Sequence, residues 1–95
     1  MNIKQQVLAA LEGLEKSVFE ETLQEYMNDI LEVEYTKTLN GYFKGVKLLV
    51  TFGSPDVYIN TMTNKIEGYW GNEYFEETLP YELGEAINDY IEELI

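Results

Sequence analysis

The chain has no cysteine and no histidine. Without cysteine there are no disulfides and no thiolate chemistry, a composition that suits a reducing cytoplasm. Without histidine, the commonest general base and the commonest metal ligand are both missing. No apolar run approaches the eighteen residues or so that a membrane-spanning helix needs. The stretch Met1 to Leu14 carries one lysine and an amphipathic pattern with no continuous apolar core, so it does not read as a signal peptide. Internal repeats, long linkers and low-complexity stretches are also absent. Basic residues are the scarcest charged type: six lysines stand against eighteen carboxylates, for a formal net charge of −12.

The negative charge is unevenly placed. All six lysines lie within residues 1–65, where nine carboxylates leave a formal −3; residues 66–95 hold the other nine carboxylates and no basic residue. A field this lopsided favours a basic protein surface, opposes direct binding to nucleic acid and is repelled by anionic bilayers. The chain is nonetheless not a disordered acidic tail. Hydrophobic residues make up 45% of it, including eight Tyr, four Phe and one Trp. That is enough for the core of one domain spanning 1–95.

Hydrophobic periodicity divides the chain into elements. Ile3, Val7, Ala10, Leu11 and Leu14 lie on one helical face, with Asn2 as N-cap and Gly13 weakening the end. Ser17 followed by Glu20 fits a capping box, and Phe19, Leu23, Tyr26, Met27 and Ile30 continue as a second helical stripe, either as a separate helix or beyond a kink. The period then changes to two. Leu31, Val33 and Tyr35 alternate with Glu32, Glu34 and Thr36 as a half-buried strand, and Asn40-Gly41 signals a hairpin. Val46, Leu48, Val50 and Phe52 form the next strand, and Gly53-Ser54-Pro55-Asp56 a turn. Val57, Ile59 and Thr61 then face one way, with Tyr58 and Asn60 facing the other. A fourth strand places Ile66, Gly68 and Trp70 toward the core, opposite Glu67 and Tyr69. Gly71 to Leu79 reads as a polar, aromatic loop, and Pro80 opens a helix with Leu83, Ala86, Ile87, Tyr90, Ile91 and Leu94 on its apolar face. The order α-α-β-β-β-β-α predicts an α+β fold: a four-stranded antiparallel meander with the helices packed on one face.

No constellation points to catalysis. Ser54 lacks both the Gly-x-Ser-x-Gly frame and a histidine to activate it, and the dispersed glycines form no phosphate loop. Asp56, Asn60, Asn72 and Glu73 do not have calcium-loop spacing. The expectation is a non-enzymatic protein with no cofactor and no metal. Its candidate partner-binding residues are Glu82, Glu85, Asp89, Glu92 and Glu93, which recur along the outer face of the last helix. Glu73, Tyr74, Glu76 and Glu77 are expected to form an adjoining contact loop. Tyr58, Tyr69, Tyr74, Phe75 and Tyr81 are candidates for an exposed aromatic patch, the alternative being a sheet covered on both faces.

The segments Thr51-Phe-Gly-Ser-Pro-Asp-Val-Tyr-Ile-Asn60 and Lys65-Ile-Glu-Gly-Tyr-Trp-Gly71, followed by an acidic last helix, resemble small proteins encoded by phages and mobile elements of Gram-positive bacteria. In size, acidity and α/β pattern the chain is also similar to anti-CRISPR and anti-restriction inhibitors, several of which are DNA mimics. That second resemblance implies a phage-type inhibitor acting in the bacterial cytoplasm, where it would occlude the basic nucleic-acid groove of a host defence nuclease. Other readings stay open: an immunity protein for a nuclease toxin, a small ligand-binding domain or enzyme, and acidity that serves solubility alone. A homodimer through the last strand or the aromatic patch is a further expectation.

Self-repulsion at −12 lowers stability most where screening is weakest, since the Debye length is about 30 Å at 0.01 M salt and about 3 Å at 1 M. The thermal midpoint should therefore rise as sodium chloride is raised from 0.01 to 0.5 M, as followed by circular dichroism.

Overall fold

Three helices and five strands follow one another in a computed structural model that describes residues 2–53 and 55–95. Helix α1 spans Ile3–Phe19. It starts at the expected cap: the Asn2 side chain accepts from the Gln5 amide at 2.8 Å, and the Gln5 side chain accepts from the Asn2 amide at 3.0 Å. Ile3, Val7, Ala10 and Leu14 are buried along one face. The helix does not stop near Gly13, and Ser17 does not cap a second one. Ser17 continues the buried stripe, and its hydroxyl donates to the Leu14 carbonyl at 2.7 Å. Helix α2, Leu23–Asn28, is separate and short, entered through Glu21 in the left-handed region at φ 59°. Because Phe19 ends α1 rather than starting α2, it falls outside the expected apolar stripe and is exposed. Tyr26 ties the two helices together by donating to the Ala10 carbonyl at 3.2 Å.

Strands β1 (Glu32–Lys37), β2 (Phe43–Thr51), β3 (Asp56–Asn60), β4 (Lys65–Trp70) and β5 (Glu73–Thr78) form one antiparallel sheet in sequence order, and helix α3 (Tyr81–Leu94) follows. The α+β class and the meander are as expected, but the sheet has five strands rather than four. The segment expected to be a loop is β5, turned back on β4 through Gly71 at φ 62°, a conformation that glycine adopts without steric cost. The turn expected across Gly53–Asp56 contains Ser54, which lies outside the described residues; of its flanks, the Gly53 amide donates to the Asp56 carboxylate at 2.6 Å. No described helix is long and apolar enough to cross a membrane.

Register assigns the two sheet faces. Leu48, Ile59 and Ile66 align across β2, β3 and β4, with Val57 opposite Gly68 in the neighbouring row. These side chains join Val46 and the apolar faces of all three helices in one core. Helix α1 packs on β4 and β5 and reaches β3, while α3 packs on β2. Thr61 anchors α3 to the sheet: its hydroxyl accepts from the Val46 amide at 2.8 Å and donates to the Asn88 side chain at 2.7 Å. Three expectations about burial fail where the helices do not reach. All six residues of β1 are exposed, because this edge strand pairs only with β2 and has no extended helix contact. Trp70, expected in the core, is 44% exposed at the end of β4. Phe52 lies beyond the end of β2 and is also exposed.

Gly68 is where α1 comes closest to the sheet. A Cβ at this position would sit 2.7 Å from a Val7 methyl and 2.8 Å from an Ile3 methyl. Both are shorter than real contacts allow, and both partners are held in the core. Gly68→Ala should cost about 1–3 kcal/mol, the usual range for overpacking, as a lower urea midpoint at an unchanged slope.

Candidate protein-binding surfaces

With the helices gathered on one side, the other sheet face is left open to solvent. A row across all five strands reads Glu32, Leu49, Tyr58, Glu67, Glu76, and the next reads Glu34, Lys47, Asn60, Lys65, Thr78. On the other side of the first row, Asp56 pairs with Tyr69 and Tyr69 with Tyr74. Alternation along each strand therefore gathers aromatic rings and carboxylates on one surface.

Three of those rings form a continuous ladder. Tyr58 meets Tyr69 edge-on, with centroids 6.1 Å apart and planes at 74°, and Tyr69 meets Tyr74 at 4.9 Å and 54°. The Tyr69 and Tyr74 hydroxyls both donate to Oε2 of Glu67, each at 3.3 Å. Burial, and then the Glu67 charge, push the Tyr69 phenol up to about 12; the same two causes, in the same order, raise Tyr74. The Lys47 ammonium lies 4.4 Å from the centre of the Tyr58 ring. Lys65 turns away to pair with Glu76, which raises its pKa. Glu32, Glu34, Lys47, Leu49 and Tyr58 line a cleft of about 140 Å³ on this face. A broader recess of about 340 Å³ lies between α1 and α2, where Lys16, Glu20, Glu25 and Asp29 line a polar rim.

The second surface is the outer side of α3. Glu82, Glu85, Asp89, Glu92 and Glu93 are all exposed, while Leu83, Gly84, Ile87 and Ile91 are buried on the opposite side. Among the described residues the ion pairs are Lys16 with Glu20 and Lys65 with Glu76, so none of the five is neutralised by a neighbour. Glu85, with Asp89 adding to its effect, raises the Tyr81 phenol.

The expected contact loop is different in form. Glu73, Tyr74, Glu76 and Glu77 lie on a strand, and alternation splits them: Tyr74 and Glu76 share the open face, whereas Glu73 and Glu77 flank Phe75 on the helix side. The aromatic cluster divides the same way. Tyr58, Tyr69 and Tyr74 are together, Phe75 packs against the core, and Tyr81 stands on α3. Sequence alone does not single out Glu67, Lys47 and Lys65; period two through 65, 67 and 69, through 74, 76 and 78 and through 47 and 49 is the signal that unites them with the tyrosines. Among the described residues no three His, Cys, Asp or Glu side chains group as a metal site.

No protein-family model matches the chain, and neither does any curated protein or solved structure.

Burial alone raises Tyr26 to about 12, matching the value for Tyr69. In an ultraviolet titration both should ionise near pH 12; Glu67→Gln should lower Tyr69 and leave Tyr26 in place. Both folded values lie above the ordinary 10, so the unfolded chain releases these protons first. The associated stability is full below pH 10 and is lost as pH rises toward 12.

Proposed function

We propose that this protein is a non-enzymatic inhibitor that binds the basic, nucleic-acid-handling surface of a defence nuclease and acts as a DNA mimic through α3. The observation that carries this reading is the unneutralised carboxylate stripe on that helix. Five charges from Glu82 to Glu93 extend over about 16 Å at 1.5 Å per residue, an average of about 4 Å between neighbours. One strand of duplex DNA presents a phosphate about every 3.4 Å of axis, so a groove that accepts a strand would meet a similar charge density.

Helix electrostatics adds support. Glu92 and Glu93 lie at the carbonyl end of α3, whose last turn contains no basic residue. Carboxylates there oppose the helix dipole, at roughly 0.3–1 kcal/mol each. Solubility would be served as well by acids at positions that stabilise the helix. Residues placed against local stability fit a surface selected for contact, with the charges accelerating association and a packed aromatic supplying affinity.

The test is capture of nucleic-acid enzymes from host lysate on the immobilised protein at low and high salt. The captured enzyme should be released at high salt and displaced by duplex DNA. Replacing all five α3 acids with Lys should abolish capture while the far-ultraviolet dichroism stays that of the native fold. Unchanged capture by that variant, or partners indifferent to both salt and DNA, would remove α3 as the mimic.

A further inference from the structure

The open sheet face carries a feature that the α3 reading does not use. Glu67 stands on β4 between Tyr58, directly across on β3, and Glu76, directly across on β5, with Tyr69 two residues along its own strand. Its Oε2 is held by two phenols. Among the described residues, Oε1 accepts no hydrogen bond and no lysine pairs with Glu67, since Lys65 is committed to Glu76. The result is a partly buried carboxylate with one oxygen facing two phenols, the other without a hydrogen-bond partner among the described residues, and tyrosine rings beside it.

The charges of this face point to the kind of group that would fit. Among the described residues paired in its rows, Glu32, Glu34, Asp56, Glu67 and Glu76 share it with Lys47 and Lys65, which leaves these rows three negative charges in excess. Lys47 at 4.4 Å from the Tyr58 ring centre is a cation already seated on one ring of this face, and among the described residues the neighbouring Tyr69 and Tyr74 rings carry none. A guanidinium suits a carboxylate set among tyrosine rings better than an ammonium does. Its plane stacks on an aromatic face while its edge donates to a carboxylate, and it is more weakly hydrated.

We propose that the Tyr58, Glu67, Tyr69, Tyr74 cluster is a receptor for an arginine side chain on an extended basic segment of the protein partner. The proposal rests on the reading of a basic partner and adds the residue type by which that partner is held. The α3 stripe supplies long-range attraction; this site supplies a short-range anchor that tells arginine from lysine.

The experiment is a nuclear magnetic resonance titration of the whole protein with a blocked Gly-Arg-Gly-Arg-Gly peptide and with its Lys counterpart. The arginine peptide should shift the amides of Tyr58, Glu67, Tyr69 and Tyr74 saturably and bind about tenfold more tightly than the lysine peptide. Glu67→Gln should weaken arginine binding about tenfold. Tyr69→Phe, which keeps the ring, should lose less than Tyr69→Leu. A variant with Gln at the four α3 glutamates and Asn at Asp89 should keep the shifts on the sheet. Equal affinity for the two peptides, or shifts confined to α3 and lost with its charges, would overturn the proposal. The two readings fail separately. Lysate capture that survives the neutral α3 variant overturns mimicry, whereas capture that survives Glu67→Gln undiminished overturns the arginine receptor.

Discussion

The approach of α1 to β4 at Gly68 is the contact on which the arrangement depends. The helix sits so close there that the methyls of Ile3 and Val7 occupy the space a side chain would take. That proximity lets one helix cover β4 and β5 and leaves α3 to cover β2, so both lie on the same side of the sheet. A single helical layer is enough to bury Val46, Leu48, Val57, Ile59 and Ile66 completely. Each such side chain contributes about 1.5–3 kcal/mol relative to exposure. The opposite face then needs no apolar cover, and it carries charge and tyrosine instead.

The parts of this architecture that were legible in the sequence are those where the local pattern and the burial have the same cause. Asn2 with Gln5 starts α1, and the alternation through Val46–Leu48, Val57–Ile59 and Ile66–Gly68 marks strands whose inner faces lie under helices. Alternation alone says which residues share a face, not whether anything covers it. Val33 and Tyr35 alternate as cleanly as Val57 and Ile59, yet the first pair is exposed and the second is fully buried. The difference is set by where α1 and α3 cross, through contacts made across much of the chain. β5 was hidden for a related reason: an edge strand that contributes only Phe75 to the core has no apolar rhythm to detect. Ser17 misled because Ser followed by Glu three residues later fits a cap, while the helical period already placed that serine on the buried stripe of α1.

The two candidate surfaces illustrate the same limit. The five α3 carboxylates were readable because helical spacing is local and the apolar stripe fixes the opposite side. The tyrosine face was only partly readable, since it takes residues from three strands and its central carboxylate becomes evident only once β5 is paired with β4. The surfaces also differ chemically. Side chains on α3 act as separate solvated charges, whose influence falls off over a Debye length. Glu67 and its phenols form a hydrogen-bonded group within a sheet, and such a group has shape as well as charge.

The sheet ends in two open edges, β1 and β5. Unpaired strand edges are templates for stacking one chain on another, the route by which sheet proteins aggregate. Here one edge carries Glu32 and Glu34, with a register irregularity between Thr36 and Lys37, and the other carries Glu73, Glu76 and Glu77. Joining edge to edge would set carboxylate against carboxylate and bring the bulged end of β1 into the ladder. The acidity of both edges thus also opposes the stacking of one copy on another.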